Sequence, residues 1–240
     1  MMKSSNFNMI ARPYQWLEYL SFGPLLERCR FRCLDQLAAR RRALILGDGD
    51  GRFTARLLAS NREIEAVAVD SSSEMLKLLR RRVAGLGDWA APRLRTWLGD
   101  ALDFDALALP MKPPCDLIAT HFFLDCLSDE EVCRLIGKLQ PHLAPDAIWL
   151  VSEFAIPQSH GAGFAGRLLI ASLYFAFGLI AGLKVRQLPD YAAALRAAEF
   201  ILSDRKSYLG GILVSEVWIQ RPGTGSTTAE ATETSQDASQ

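Results

Sequence analysis

The chain has 240 residues, half of them apolar, with 27 basic and 27 acidic side chains and therefore no formal net charge. This composition predicts one globular domain with a sizeable core, and the balanced charge gives no indication of a nucleic-acid partner or of an anionic membrane surface. The odd number of cysteines, five, and the lack of a secretory leader favour reduced thiols and a cytoplasmic protein.

Two helical patterns precede the first predicted strand. The first, Met9–Leu20, is rich in aromatic and aliphatic residues, and the second runs from Gly23 to about Arg40 as one continuous helix. Cys29 and Cys33 share a face of the second helix, but no second pair or nearby histidine completes a metal site, so none is predicted. We expect residues 1–41 to form a helical cap.

The stretch from Ala43 to Leu58 joins a short apolar run to a helical pattern through three glycines at alternate positions, Gly47, Gly49 and Gly51. This order predicts a strand, a tight turn and a helix whose first backbone amides are available to a ligand. Two acids lie inside the turn, Asp48 and Asp50, and both would repel a pyrophosphate. The pattern therefore favours a ligand with hydroxyl groups or a positive charge.

Further strands follow, and polar side chains stand where they end. The predicted strands and these side chains are Ile64–Val69 before Asp70, Arg93–Leu98 before Asp100, Cys115–Thr120 before His121, and Ala147–Phe154 with Glu153 near its end. Parallel strands joined by crossover helices end at one edge of a sheet, so we expect these side chains to gather there. Ser128 and Glu131 predict a capping box at the helix between the last two of these strands.

The C-terminal third contains a hydrophobic segment, a hairpin and a polar tail. Residues 164–183 are predicted to form a buried or pocket-lining helix, with peripheral contact to a membrane surface as the alternative. Glu199–Tyr208 and Ile212–Ile219 predict an antiparallel hairpin. The expected division is one domain over 1–220, comprising the cap, a ligand-binding core at 42–155, apolar helices at 156–198 and the hairpin at 199–220, followed by a disordered tail at 221–240.

Taken in order, four segments resemble those of class I S-adenosylmethionine-dependent methyltransferases. They are GDGDG at Gly47–Gly51, Asp70 with the following SSSEML, GDA around Asp100, and THFFLD after the fourth strand. The resemblance implies an α/β fold: a Rossmann-like, doubly wound, mostly parallel seven-stranded sheet with N-terminal cap helices and a C-terminal antiparallel hairpin. The N-terminal and C-terminal segments are similar to the branch that methylates quinones and other small molecules.

The resemblance also implies roles for single residues toward S-adenosylmethionine. It implies that Gly47, Gly49 and Gly51 contact the cofactor through their backbone, that Asp70 binds the ribose hydroxyls, and that Asp100 and Ala101 bind the adenine. Ser71 and Met75 would pack around the nucleoside, and His121 would border the sulfonium. Tyr14 of the N-terminal helix is a further candidate to close over the cofactor, with ordinary packing as the alternative. The family usually has an acid two residues before the first glycine, where this chain has Ile45. Asp48 or Asp50 is expected to take over that contact to the methionyl amino group.

Methyl transfer is an in-line displacement that needs alignment and exclusion of water but no covalent nucleophile. Where a base is needed, His121 and Glu153 are the candidates at the predicted edge, with pocket lining or surface placement as the alternatives. The expected acceptor is a small apolar or aromatic molecule. Two other functions stay open: an oxidoreductase using NAD(P) on a similar sheet, and a non-catalytic cofactor-binding protein associated with a membrane.

Overall fold

The structure, a computed structural model, describes residues 23–103, 114–155 and 188–221. Within them, seven strands form one sheet in the order β3-β2-β1-β4-β5-β7-β6. The strands are β1 (Arg42–Leu46), β2 (Glu65–Asp70), β3 (Leu94–Leu98), β4 (Cys115–His121), β5 (Leu143–Phe154), β6 (Phe200–Tyr208) and β7 (Leu213–Gln220). The helices are α1 (Gly23–Phe31), α2 (Arg52–Ser60), α3 (Ser73–Ala84), α4 (Asp129–Leu139) and α5 (Tyr191–Ala197).

The first five strands pair in parallel, and β7 inserts antiparallel between β5 and β6. The predicted fold class is thereby confirmed, including the C-terminal antiparallel hairpin. The chain leaves β1 toward β2 on one side and later returns to β4 on the other, so the strand order reverses beside β1. In open α/β sheets, ligands bind outside the carboxyl ends of the strands at such a reversal.

Alternate residues of the central strands enter two separate cores. In β1, Leu44 and Leu46 face the layer that contains α4 and α5, whereas Ala43 and Ile45 face the layer that contains α2 and α3. Each of these four side chains is buried, which is why the strand reads as a continuous apolar run. The sheet is thus covered on both faces, and its strand ends are the part left to a ligand.

Local signals start the helices that flank the site. Ser72 caps α3 by accepting a hydrogen bond from the amide of Met75, and Ser128 with Glu131 forms the predicted capping box of α4. The helix predicted from Gly23 to about Arg40 is not continuous, because α1 ends at Phe31 and a 3₁₀ turn follows at Leu34–Leu37.

The break after α1 has a packing reason. Leu26 and Cys29 of α1 pack with Leu213 of β7, whereas Leu34 and Leu37 join the core beneath α2. A straight helix cannot serve both contacts. At the bend, Arg32 donates a hydrogen bond to Asp204 at 2.6 Å and to the hydroxyl of Ser215 at 3.4 Å, which ties the chain to the hairpin.

Several predicted features lie outside the described residues: Tyr14 with the helix Met9–Leu20, the apolar segment 164–183, and nearly all of the C-terminal tail. None of the helices in the described part of the chain is long and apolar enough to cross a membrane. The same residues contain no group of three or more His, Cys, Asp or Glu side chains placed to hold a metal ion.

Candidate functional site

The glycine turn after β1 has the geometry that its sequence predicts. Gly47, Gly49 and Gly51 all take positive φ angles, of 66°, 59° and 80°, in the left-handed region that side chains disfavour. A Cβ on Gly47 would meet the ring of Phe123, and one on Gly51 would meet Leu79. Among the described residues, a Cβ on Gly49 would have only the sulfur of Met75 nearby, at 3.9 Å, so this is the open side of the turn.

Asp48 binds the start of the helix that follows the turn. Its Oδ2 accepts from the amide of Thr54 at 2.8 Å and from the Thr54 hydroxyl at 2.6 Å, and its Oδ1 accepts from the amide of Phe53 at 3.3 Å. These amides belong to the first turn of α2, where helices lack internal partners. Burial raises the pKa of Asp48, and the two bonds from Thr54 oppose that rise.

Asp50 is bonded to arginines. Its Oδ2 lies 3.1 Å from Nε of Arg52 and 2.6 Å from Nη2 of Arg82, and only 7% of the side chain is exposed. Arg82 also donates to the Asp50 carbonyl at 3.0 Å, which links the turn to α3. Both acids of the turn therefore have partners inside the protein, and contact of either with a ligand stays a prediction.

Asp70 ends β2 directly beside the glycine turn. Its Oδ1 accepts from the amide of Ser72 at 2.8 Å, and its carbonyl accepts from Gly99 at 3.1 Å. Burial raises the pKa of Asp70 to about 6, although the amides of Ser72 and Gly49 lower it by hydrogen bonding. The amide of Gly49 thus reaches this carboxyl group, so Asp70 lies directly beside the glycine turn.

Asp100 stands at the end of β3, the next strand along the sheet. Its Oδ1 accepts from the amide of Leu102 at 2.8 Å, and its side chain is exposed, whereas Ala101 is buried. Met75 is buried beneath Gly49, and Ser71 is exposed between β2 and α3. The structure therefore brings Asp70, Met75 and the turn together and places Asp100 one strand further out.

His121 ends β4, on the opposite side of β1 from Asp70. Its Nδ1 lies 2.9 Å from the hydroxyl of Ser152, and its ring makes an edge contact with Phe53 at a centroid distance of 4.3 Å. Only 4% of the side chain is exposed. Burial, with a further effect from the charge of Arg30, lowers the pKa of His121 to about 3, so the imidazole is neutral at neutral pH.

Glu153 is 1% exposed and holds the loop that follows β4. Its Oε1 accepts from the amides of Phe123 at 3.0 Å and Leu124 at 2.8 Å, whereas its Oε2 has no hydrogen-bond partner in the part of the chain that the structure describes. Burial and the negative charge of Asp125 raise the pKa of Glu153 well above its ordinary value. Phe122, at the start of this loop, has a φ of 56°, a strained value for an aromatic residue.

The two candidate bases lie on opposite faces of the sheet. His121 pairs in register with Ser152, and side chains alternate along a strand, so Glu153 points to the other face. The sequence interpretation missed Ser152 and Phe123, which contact His121 and Gly47 respectively. Phe123 lies in the THFFLD segment but was given no role there, and Ser152 carries no motif signal. Both contacts depend on the register between β4 and its neighbours.

The match to known families covers the core of the sheet. Residues 44–149 match the family model described as a methyltransferase domain. No curated protein matches the chain.

Solved structures share the fold at low sequence identity. A mitomycin 7-O-methyltransferase is similar with a TM-score of 0.60 and 15% identity, over 85% of this chain and 60% of that one. An O-methyltransferase family protein from Burkholderia thailandensis has a TM-score of 0.63 and 16% identity, over 90% of this chain and 59% of that one. An O-methyltransferase family 2 protein from Planctomyces limnophilus, in complex with apigenin, has a TM-score of 0.63 and 18% identity, over 88% and 61%. The chain therefore spans about 60% of the length of these structures.

Proposed function

We propose that this chain transfers the methyl group of S-adenosylmethionine to a small-molecule acceptor, on the basis of the match of residues 44–149 to a methyltransferase domain and of the fold that it shares with O-methyltransferases. The observation that carries the proposal is the hydrogen bond from the backbone of Gly49 to the carboxyl group of Asp70. A ligand can approach the backbone of Gly49, and a carboxyl group with acceptor capacity lies beside it. This pairing suits a nucleoside, whose ribose offers two adjacent hydroxyl donors.

The charges at the site also suit S-adenosylmethionine. In our proposal, Asp70 accepts from the ribose hydroxyls, Asp100 and the Ala101 amide bind the adenine, and the glycine turn contacts the rest through its backbone. When bound, S-adenosylmethionine supplies an activated methyl group on a sulfonium cation. A cation is compatible with a strand edge that carries several carboxylates, whereas a pyrophosphate is not.

The protein's own contribution to the reaction is to hold both partners in line and to exclude water. The Phe123 ring against Gly47 supports this role, because it closes the turn on the side of β4. Glu153 in its ionised form is our proposed proton acceptor, since a raised pKa makes its carboxylate a stronger base and its Oε2 has no hydrogen-bond partner among the described residues. His121 is a weak base with a pKa of about 3, so we assign it no proton transfer.

We propose a hydroxyl group on a small aromatic or otherwise apolar molecule as the acceptor. Support comes from the similar structures, which include a mitomycin 7-O-methyltransferase and a protein solved with apigenin. We also propose a cytoplasmic location, in keeping with cysteines none of which forms a disulfide.

Ligand-induced stabilisation tests the proposal. A ligand that binds only the folded protein raises its melting temperature, so S-adenosylhomocysteine should raise it while NAD and NADP should not. Transfer of a labelled methyl group to a panel of phenols and quinols should then identify the acceptor. Stabilisation by NAD or NADP alone would instead favour a dinucleotide enzyme, and cofactor binding without transfer to any acceptor would contradict the proposed activity.

A further inference from the structure

His121 carries a buried nitrogen that the fold leaves without a hydrogen bond. Its Nε2 has no partner within residues 23–103, 114–155 and 188–221, although only 4% of the side chain is exposed. Buried polar atoms are almost always paired, because leaving one unpaired costs its full desolvation. An unpaired nitrogen beside a ligand-binding edge is therefore evidence for a partner that comes with the ligand.

The neighbours of His121 determine which nitrogen carries the proton. The hydroxyl of Ser152 lies 3.3 Å from the carbonyl of Cys29, which can only accept, and 2.9 Å from Nδ1 of His121. We assign the hydroxyl hydrogen to the carbonyl, so that the Ser152 oxygen accepts from Nδ1–H of His121. A neutral imidazole has one N–H, and this assignment puts it on Nδ1. Nε2 is consequently a lone-pair acceptor, and its missing partner must be a donor.

The strand register places this acceptor next to the glycine turn. Leu46 pairs with Thr120, so His121 stands level with Gly47, the first residue of the turn. Ile45 pairs with Ala119 and, like Phe53, which contacts the His121 ring, packs in the core beneath α2. On this face of the sheet, position 45 offers no polar group.

The strand order indicates which end of the cofactor reaches His121. Asp70 and Asp100 end β2 and β3, on one side of β1, whereas His121 ends β4 on the other side. A cofactor whose nucleoside lies over β2 and β3 therefore extends its amino-acid end across the turn toward β4. The donor at that end is an α-ammonium group.

We propose that Nε2 of His121 accepts a hydrogen bond from the α-ammonium group of the methionyl part of the cofactor. His121 takes the place of an acidic side chain there, and Asp48 and Asp50 remain bonded to Thr54 and to the arginines. Burial and the positive charge of Arg30 both disfavour protonation of the ring, so Nε2 keeps the lone pair that accepts the bond. This inference rests on the proposed function.

Calorimetry with two ligands tests the contact. S-adenosylhomocysteine and its analogue without the α-amino group differ only in the proposed donor. The wild-type protein should bind the former at least about tenfold more tightly, the loss expected for a hydrogen bond that involves a charged group. His121→Leu should remove that preference while leaving the affinity for the deaminated analogue unchanged. The control variant His142→Gln, which changes a histidine on the 3₁₀ turn before β5, should keep the preference for S-adenosylhomocysteine.

Each outcome distinguishes the inference from the proposed function. Equal affinity of the wild-type protein for both ligands would overturn the inference, whether or not His121→Leu folds. An undiminished preference in His121→Leu would overturn it as well. Failure of the wild-type protein to bind either ligand would contradict the proposed function itself. With ¹⁵N-labelled histidine, the Nε2 resonance of His121 should move on binding S-adenosylhomocysteine and not on binding the analogue.

Discussion

Gly47 and Phe123 are in direct contact across the strand ends: a Cβ at Gly47 would lie 2.4 Å from Cδ2 of the Phe123 ring. The contact joins the glycine turn after β1 to the loop after β4, and Glu153 holds that loop through the amides of Phe123 and Leu124. The glycine turn and the loop after β4 thus pack against each other, so a substitution in one segment should alter the conformation of the other.

Gly47→Ala should destabilise the fold and weaken cofactor binding. The methyl group would clash with Phe123, and the φ of 66° costs a residue with a Cβ about 1–2 kcal/mol before any clash. Gly137→Ala is the matched control, because Gly137 lies on the exposed face of α4 with nothing within 4 Å of a Cβ. That variant should gain about 0.5–1 kcal/mol in the free energy of unfolding, measured by urea denaturation. Equal stability of the two variants would contradict the close contact between Gly47 and the Phe123 ring.

Asp48→Ala should lower stability far more than it lowers affinity for S-adenosylhomocysteine. The substitution leaves the amides of Phe53 and Thr54 without their acceptor, a loss of about 1–3 kcal/mol in the free energy of unfolding. Thr54→Val, which removes only the hydroxyl donor, should cost less. A large loss of affinity in a stable Asp48→Ala protein would instead assign the carboxylate to the ligand.

Binding of S-adenosylhomocysteine should weaken in acid because of Asp70. The pKa of this group is about 6 in the free protein, and only the carboxylate can accept from both ribose hydroxyls. Affinity should therefore be constant above pH 7 and fall as the pH drops below 6, by up to about tenfold per unit.

Asp70→Asn gives the control for this pH dependence. The amide keeps an oxygen for the Ser72 amide but carries no charge, so affinity at pH 7.5 should fall about tenfold or more and become flat between pH 5 and 7. Asp88→Asn, altered on an exposed turn before β3, should keep the wild-type profile in calorimetric titrations. A wild-type profile in Asp70→Asn would exclude Asp70 as the ribose ligand.

Glu153→Gln and Glu153→Ala should separate support of the loop from proton transfer. Gln keeps an oxygen for the amides of Phe123 and Leu124, whereas Ala leaves both buried amides unpaired and should cost about 2–4 kcal/mol in the free energy of unfolding. If Glu153 accepts the proton, methyl transfer should fall strongly in the stable Gln variant while cofactor affinity is unchanged. Full activity of Glu153→Gln would leave the residue with a structural role alone.

The raised pKa of Glu153 also gives a signed dependence of stability on pH. A carboxyl group whose pKa is higher in the folded state than its ordinary 4.5 stabilises the fold at low pH, and this stabilisation is lost as the pH rises toward the folded pKa. The Glu153→Gln variant has no carboxyl group at this position, so its stability does not fall in this way as the pH rises. Its free energy of unfolding relative to wild type should therefore increase between pH 5 and 8, and a constant difference would show that the pKa is not raised.

Local patterns were sufficient for most of the architecture. The apolar runs of the strands, the glycines at 47, 49 and 51, and the capping box at Ser128 act within a few residues, and the structure has the elements where these patterns predict them. The predicted continuous helix from Gly23 to Arg40 was wrong, because periodicity does not report that two halves of an apolar stripe must pack on different partners.

By itself, the sequence determined that acidic residues end β2 and β3 in an order suited to a nucleoside, since strand ends and crossovers follow from local pattern. Only the tertiary structure decided what each polar group is bonded to. In the folded chain, Asp48 accepts hydrogen bonds from the start of α2, and Asp50 is paired with Arg52 and Arg82. Nε2 of His121, beside the turn, has no partner among the described residues. Those assignments depend on strand register and on side chains far apart in the chain, and burial then sets the pKa and hydrogen-bonding capacity of each group.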